Sequence, residues 1–317
     1  AMSKSRGNIV DPIDVVPKYG VDALRAFILA KAMPEKDLEW SEEGIDTIKK
    51  FLDRVVDLLE FYLEREKDER KNERDEYILA KINWCIKEYN EKFEKLNFPQ
   101  VISLLMDFVK TMIKHKEKIS SQVFCLCLKN LAILLNPITP YLSEYIWKKL
   151  GNEGYCSLTQ MPKPNEALIK QEFLVEDDYI GNLVSDIHGI IELMKKKRKI
   201  GKLKNIVVVI ADSWKYKVAE LVKDCKSVNE AIEKIKQSEY ASKLDEISKS
   251  IKNFIGIDVL DGEKEYRIIN RNKESIEKEF KANVVLLHEK EAIEYIKYKE
   301  KARRSLPFKP VIILEFE

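Results

Sequence analysis

Apolar residues recur every three or four positions through the first half of the chain, which is the spacing of one helical face. This pattern predicts five helices between residues 41 and 150, joined by short connections. Ser41 can cap the first of them, because its side-chain oxygen can accept from the amides of the first turn. The last follows Thr139 as a cap, has Pro140 at its first position and ends at Gly151. Consecutive amphipathic helices with short loops predict an antiparallel bundle.

The pattern differs on either side of this bundle. Residues 1–12 are polar and contain glycine, which predicts a loop, and a short helix is predicted over residues 14–31. A long helix is predicted from about Glu176 to Lys199, and beyond it short apolar runs alternate with helical stretches. The predicted strands are 206–210, 284–287 and 311–314, and the predicted helices are 214–224, 227–236, 239–253, 272–281 and 289–303. This mixture predicts a small α/β domain.

The predicted fold class is therefore mainly α, an antiparallel helical bundle followed by a small α/β C-terminal domain. Pro162 and Pro164 indicate a boundary after the bundle. We expect four segments along the chain: a loop and first helix over 1–40, the bundle over 41–155, a connecting long helix over 156–200 and the α/β domain over 201–317.

Composition narrows the possible functions. Lys and Arg total 56 and Asp and Glu total 54, so contact with nucleic acid must come from local patches rather than from net charge. The five cysteines form no Cys-x-x-Cys pair and the three histidines are isolated, which argues against a zinc site and favours scattered thiols in a reducing compartment. No run approaches the roughly 20 apolar residues of a membrane helix, and the first residues contain no secretory signal. We expect a soluble cytoplasmic protein without a resident metal.

The first residues are suited to binding a polyphosphate. Lys4 lies between Ser3 and Ser5, and a lysine is a compact point charge that can follow charge onto departing pyrophosphate. Hydroxyls and loop amides can add hydrogen bonds to phosphate oxygens. Alone, a Ser-Lys-Ser tripeptide is more typical of a charged surface loop. The flanking residues change that interpretation.

Met2-Ser-Lys-Ser-Arg-Gly-Asn8 is followed by Gly20-Val-Asp-Ala-Leu-Arg25. Together they resemble the signature of class I aminoacyl-tRNA synthetases of the leucine, isoleucine, valine and methionine group. That signature is a Lys-Met-Ser-Lys-Ser (KMSKS) loop, then Arg-Gly-Asn and a helix with Gly-x-Asp-x-x-Arg; here Ala1 stands in the place of its first lysine. The stretch Leu135 to Leu150 resembles the last helix of the anticodon-binding bundle in the same group. We interpret that stretch as structural, with its prolines fixing the angle at which the chain enters the helix.

Within the group, the leucyl enzymes are the most similar. The segment Pro34 to Ser41 resembles the one that precedes the bundle in those enzymes. The strand at 206–210 with Trp214-Lys215, and the ending from Ala302 on, resemble the C-terminal extension of archaeal and eukaryotic-type leucyl-tRNA synthetases. An isoleucyl or valyl enzyme and a non-catalytic tRNA-binding module remain the alternatives.

The resemblance implies a role for the loop. No His-Ile-Gly-His motif, nucleotide-binding fold or editing insertion precedes it, so we expect the C-terminal part of a ligase that activates leucine with ATP and transfers it to leucine tRNA. Lys4 is implied as the catalytic group, and Met2, Ser3, Lys4 and Ser5 as the ATP-binding residues. ATP with Mg²⁺ is a substrate of the complete enzyme. We expect the fragment to be inactive alone and to hold neither ATP nor a metal.

Two basic patches are candidate tRNA contacts. The first is Lys195, Lys196, Lys197, Arg198 and Lys199, with Lys202 and Lys204. The second is Lys301, Arg303, Arg304 and Lys309, with Lys297 and Lys299, and is interleaved with Tyr295, Tyr298 and Phe308. Cations can pair with phosphates and aromatic rings can stack on unpaired bases, whereas a solvated helix end and a chance helix face are the alternatives. The resemblance implies that the partners are leucine tRNA with its long variable arm and the N-terminal catalytic and editing domains, with no membrane involved.

Overall fold

The computed structural model describes residues 10–31, 33, 35, 40–67, 73–196, 201–256 and 260–317. The chain forms two compact units, residues 1–170 and residues 171–317. Most of the described elements are helices, and the described strands form one three-stranded sheet in the second unit. The predicted mainly α fold class is confirmed.

The described helices of the first unit are α1 (Pro12–Tyr19), α2 (Val21–Lys31), α3 (Glu42–Glu64), α4 (Glu73–Glu94), α5 (Phe98–His115), α6 (Ser121–Leu135) and α7 (Pro140–Lys149). Helices α3 to α7 correspond to the five predicted ones. Helix α4 packs on α5 and α6, and α3 packs on the same two helices. The predicted apolar face of α3 is buried at Ile45, Ile48, Leu52, Val55 and Leu59. Each fully buried side chain of this kind contributes roughly 1.5–3 kcal/mol.

Ser41 caps α3 as predicted. The Gly44 amide donates to the Ser41 hydroxyl at 3.1 Å, and two acids follow in the first turn. The predicted single helix over 14–31 is wrong, because the chain breaks at Gly20 into α1 and α2. Gly20 has φ +88° and ψ 156°, a conformation that is essentially restricted to glycine.

The described elements of the second unit are the helices α8 (Gln171–Lys196), α9 (Ser213–Val222), α10 (Val228–Lys236), α11 (Leu244–Ile247), α12 (Gly262–Phe280), α13 (Glu289–Glu294) and α14 (Lys299–Ala302) and the strands β1 (Leu203–Ile210), β2 (Asn283–His288) and β3 (Val311–Phe316). The sheet order is β2-β1-β3. Strand β1 pairs in parallel with β2 and antiparallel with β3.

The central strand β1 divides the apolar packing of the second unit between two layers. Ile206, Val208 and Ile210 pack with apolar residues of α8 and α12. Val207 and Val209 point the other way and pack with residues of α13, α14 and β3. This alternation follows from the two-residue period of a strand. Helices α9, α10 and α11 build a separate small core.

The long helix α8 begins earlier than predicted, at Gln171, and belongs to the second unit. Glu176 on α8 accepts from Nη2 of Arg271 at 2.7 Å and from the Asn272 amide at 2.7 Å, and both partners lie on α12. Much of the segment 156–200, predicted as a connection, is therefore part of this unit's packing. Helix α12 also begins early, because Asp261 accepts from the Lys264 amide at 2.8 Å and caps it.

The predicted helix over 289–303 is wrong. It is interrupted between α13 and α14, where Tyr295 adopts an extended backbone. The cause lies outside the segment, since Tyr298 turns inward and donates from its hydroxyl to Glu315 on β3 at 2.6 Å. The predicted helix over 239–253 is also irregular, with α11 between two 3₁₀ turns.

Candidate functional site

The two stretches that carry the family resemblance contact each other in the first unit. Arg25 on α2 donates from Nε to the Ile138 carbonyl at 3.0 Å and from Nη2 to the Pro137 carbonyl at 3.1 Å. Asp22, on the same helix, accepts at 2.7 Å from the Leu142 amide in the first turn of α7. We call these contacts the α2–α7 clamp. They join α2, the second helix after the predicted ATP loop, to the last helix of the bundle and to the residues just before it.

Thr139 does not cap α7 through its side chain, contrary to the prediction. Its hydroxyl donates to the Leu135 carbonyl at 3.3 Å, so the Asp22 carboxylate takes over the capping role. Pro140 is at the first position of α7, as predicted. Burial raises the pKa of Asp22 above its usual value, although hydrogen bonds from two main-chain amides of α7 act in the opposite direction.

Seven of the predicted site residues lie outside the described residues: Met2, Ser3, Lys4 and Ser5 of the loop and Lys197, Arg198 and Lys199 of the first patch. Their assignments stay predictions. Lys195 and Lys196 are exposed in the last turn of α8, Lys202 is exposed just before β1, and Lys204 is exposed at the start of β1. We call these four described lysines the helix-end patch.

The second predicted patch is exposed on and after α14. Lys301, Arg303, Arg304 and Lys309 all expose their side chains, and within the described part of the chain none of the four forms a salt bridge. We call these four residues the C-terminal patch. Exposed cations that form no salt bridge can pair with phosphates of a polyanion at little desolvation cost.

Lys297 and one of the aromatic residues have other roles than the predicted ones. Lys297 pairs with Glu315 at 2.6 Å. Hydrogen bonds from Lys297, Tyr298 and then Asn205 lower the pKa of Glu315 to about 2. Tyr298 is buried, so its ring is not available to stack on a base.

Phe308 is half-buried. Its ring packs edge-on against Tyr179 with 5.2 Å between ring centroids, and its amide donates to the buried carboxylate of Glu265 at 3.0 Å. Of the three aromatic residues predicted to interleave with the cations, Tyr295 alone is exposed, at 52%. The burial of Tyr298 argues against its predicted stacking, whereas stacking by Tyr295 and Phe308 stays a prediction.

A buried ion pair lies beneath the C-terminal patch. The Lys215 ammonium donates to Glu289 Oε1 at 2.9 Å and to the carbonyls of Arg303 and Ser305 at 2.8 Å each. Glu289 Oε2 accepts from the Asp212 amide at 2.9 Å and from the Ser305 hydroxyl at 3.1 Å. The side chains of Lys215 and Glu289 are 1% and 5% exposed. We call this arrangement the Lys215 network.

The residue pattern alone indicates no role for this network. Lys215 is notable in the sequence only through the resemblance of Trp214-Lys215 to a known extension. One local signal is present, because Lys215 lies in a helix whose neighbours Tyr216, Val218 and Ala219 are buried. A lysine on such a face must find acceptors, since unpaired buried charge is strongly unfavourable. The acceptors themselves are 74 to 90 positions away.

The described residues contain no group of three or more His, Cys, Asp or Glu side chains that could hold a metal ion. The five cysteines are free, and four of them are buried. Burial raises the pKa of the Cys85 thiol to about 12. Of the helices described in full or in part, none is long and apolar enough to cross a membrane.

Comparison with known proteins supports the family that the motifs indicated. A model of the anticodon-binding domain of tRNA ligase matches residues 75–210. A model of tRNA synthetases class I (I, L, M and V) matches residues 1–41. Both models describe tRNA ligases, and the second is that of the class I enzymes of this group.

Within that class, the chain corresponds to a C-terminal part of leucine–tRNA ligases. It is 27% identical to the leucine–tRNA ligase of Pyrococcus abyssi over 327 aligned positions, which cover 99% of this chain and 33% of that protein. It is 26% identical to the enzyme of Methanocaldococcus jannaschii, in an alignment that covers 99% of this chain and 33% of that enzyme. It is 35% identical to the enzyme of Prochlorococcus marinus subsp. pastoris, in an alignment that covers 54% of this chain and 20% of that enzyme. The chain thus spans about a third of the length of the archaeal relatives.

A solved structure supports the fold. The ternary complex of Agrobacterium radiobacter K84 agnB2 LeuRS with tRNA and LeuAMS matches with a TM-score of 0.50 and 21% identity. The match covers 77% of this chain and 28% of that one. At this identity the similarity concerns the fold alone.

Proposed function

We propose that this chain is the part of a leucine–tRNA ligase that holds the tRNA and supplies the loop that contacts the phosphates of ATP. The observation that carries the proposal is the similarity to leucine–tRNA ligases over 99% of the chain. The α2–α7 clamp supports it, because it connects the segment after the loop to the bundle through residues of both signature stretches. We place the complete enzyme in the cytoplasm.

In the complete enzyme, the leucine carboxylate attacks the α-phosphorus of ATP, leucyl-adenylate forms and pyrophosphate leaves. The terminal ribose hydroxyl of leucine tRNA then accepts the leucyl group, and AMP leaves. Lys4 stabilises the negative charge that accumulates on the β- and γ-phosphates in the first step. The resemblance assigns Met2, Ser3 and Ser5, together with Lys4, to ATP binding. Mg²⁺ accompanies ATP as part of the substrate.

The remaining two thirds of the enzyme supply the leucine pocket, most of the ATP site and the editing domain. We therefore expect the chain to be inactive in leucine-dependent exchange of pyrophosphate into ATP. The catalytic and editing domains are then its protein partners. Detectable exchange by the isolated chain would contradict this assignment.

The two patches are the proposed phosphate contacts of the tRNA. The helix-end patch, which Lys197, Arg198 and Lys199 extend in sequence, and the C-terminal patch both lie in the second unit. We assign the second unit to the long variable arm of leucine tRNA and the bundle to the tRNA body. Each phosphate that a cation neutralises releases counterions, so the affinity falls as the salt concentration rises.

The test is binding of the chain to leucine tRNA and to a copy without the long variable arm, across a salt series. We expect the intact tRNA to bind more tightly and with a steeper dependence on salt. Isoleucine and valine tRNAs, which are the substrates under the alternative assignment, serve as controls. Equal affinities and equal salt slopes for all four RNAs would leave only nonspecific electrostatic binding and would refute variable-arm recognition.

A further inference from the structure

We propose that Lys215 and Glu289 are positioning residues for RNA binding, because their buried ion pair fixes the main chain that carries the C-terminal patch. The proposal rests on the function proposed above for that patch. Neither side chain can touch RNA, since both are buried. They act through the backbone of residues 302–305, which they hold from the interior of the unit.

The Lys215 network satisfies every hydrogen-bonding group at its centre. An ammonium group has three donors, and the three acceptors around Lys215 are one carboxylate oxygen and two main-chain carbonyls. The carbonyls belong to Arg303, which is itself a patch residue, and to Ser305, two positions further on. The single hydrogen of the Ser305 hydroxyl is shared between the Ala302 carbonyl at 2.8 Å and Glu289 Oε2 at 3.1 Å. The Lys215 network therefore contacts the turn from beneath at the Arg303 carbonyl, the Ser305 carbonyl and the Ser305 hydroxyl.

Apart from the Lys215 network, the turn is held by short-range hydrogen bonds, by the buried Ala302 before it and by the Phe308 amide after it, which donates to Glu265. Helix α14 is only four residues long, and the turn that follows is closed by amides of Arg304 and Ser305 that donate at 2.9 and 3.0 Å. One isolated bridge, between Leu306 and Lys309, continues it. The described part of the turn has no strand partner before β3 begins at Val311. The direction of the Arg303 and Arg304 side chains thus depends on bonds from the interior.

A buried ion pair adds little net stability, so stability alone does not explain why Lys215 is buried. Buried ion pairs can often be replaced by apolar residues without loss, because desolvation offsets their attraction. Here the lysine has a task that an apolar residue cannot perform, since it supplies donors to two carbonyls of an irregular turn. It also neutralises Glu289, whose negative charge would otherwise lie directly beneath the cations of the patch. Both effects favour a preorganised, positive surface.

The test distinguishes the effect of how the patch cations are positioned from the effect of their charge. The double substitution K215M/E289Q removes the donors but leaves the net charge unchanged. The substitution R303A/R304A removes two direct contacts. The matched control is R271M/E176Q, which removes the ion pair between α12 and α8, also buried in the second unit, without contact to the patch. For each full-length chain, affinity for leucine tRNA is measured across a salt series, and thermal unfolding reports the folded fraction.

We expect R303A/R304A to lower the log–log salt slope by about 2, since each duplex phosphate contact contributes about 0.9. We expect K215M/E289Q to lower it by about 1 to 2 although all four patch cations are still present. The control should be destabilised but keep the wild-type slope, because a smaller folded fraction changes the apparent affinity and not the number of phosphates contacted.

A wild-type slope and affinity for K215M/E289Q, together with a reduced slope for R303A/R304A, would overturn the positioning role and leave the proposed function intact. An unchanged slope for R303A/R304A would overturn the function of the patch and the positioning role together. If K215M/E289Q does not fold, E289D replaces it. This variant keeps the charge but withdraws the carboxylate by one methylene, and we expect a smaller fall in slope of the same sign.

Discussion

At the scale of single residues, Glu315 shows how one side chain decides the local structure. It accepts from Lys297 at 2.6 Å, from the Tyr298 hydroxyl at 2.6 Å and from the Asn205 amide at 2.7 Å. These bonds lower the pKa of its carboxyl and draw Tyr298 into the interior, which ends the helix predicted over 289–303. A residue on β3 thereby changes the structure of a segment 17 positions earlier.

The lowered pKa predicts an acid-sensitive contribution to stability. The carboxyl titrates near 4.5 when the chain is unfolded and near 2 when it is folded, so its ionised form stabilises the folded state. This contribution is complete above the unfolded pKa and is lost as the pH falls towards 2. We expect E315Q to be less stable than wild type at neutral pH and to lose less stability between about pH 5 and pH 2.

Urea unfolding of both chains at several pH values measures this difference. The control is E300Q, which alters an exposed glutamate on α14. A constant difference between wild type and E315Q across this pH range would show that the three hydrogen bonds do not favour the ionised carboxyl.

At the scale of elements, the sequence predicts the helices and strands whose positions follow from a local apolar periodicity. The faces of α3 to α7 repeat at three and four residues, and those helices form where they were expected. The same is true of β1, where a run of apolar residues marks the buried central strand. Local patterns do not show which distant residues will become hydrogen-bond partners. Neither the capping of α7 by Asp22 nor the acceptors of Lys215 could be predicted, because 120 and up to 90 positions separate the partners.

The helix break at Gly20 is a local feature that the helical periodicity did not predict. The apolar residues on both sides fit one helix, yet the chain breaks at Gly20 because its backbone conformation is restricted to glycine. This break lets α2 begin with Asp22 and Arg25 placed against the start of α7. The open space around the Gly20 Cα means that a substitution acts through the backbone alone.

We therefore predict that G20A lowers the free energy of unfolding by about 2 kcal/mol, within the range of roughly 1–3 kcal/mol for such strain. The matched control is G181A. Gly181 lies within α8, and a Cβ there also meets no neighbouring atom. Because alanine is the better helix former, G181A should raise stability by about 1 kcal/mol. Chemical denaturation of the two variants measures both effects. Equal effects of the two substitutions would mean that Gly20 is not strained in this way.

At the scale of the whole molecule, the proposed function separates the chemistry from the RNA contacts. The ATP loop lies in the first few residues, whereas the cations proposed to bind tRNA lie beyond residue 194. A change in one set should therefore affect one step. The α2–α7 clamp makes this separation incomplete, because it ties the segment after the loop to the helical bundle.

Substitutions of Lys4 and of the C-terminal patch can test this separation of the chemistry from the RNA contacts. In the complete enzyme, K4A should reduce leucine-dependent pyrophosphate exchange, by a factor of about 100 or more if Lys4 stabilises the transition state as a single donor of such a site typically does. The affinity for leucine tRNA should change little, because the role proposed for Lys4 is contact with ATP and not with RNA. R303A/R304A in the same enzyme should give the reverse result, with exchange preserved and tRNA affinity reduced. Pyrophosphate exchange and equilibrium tRNA binding measure the two steps independently. Loss of tRNA binding in K4A with normal exchange would place Lys4 on the RNA surface and exclude it from the activation step.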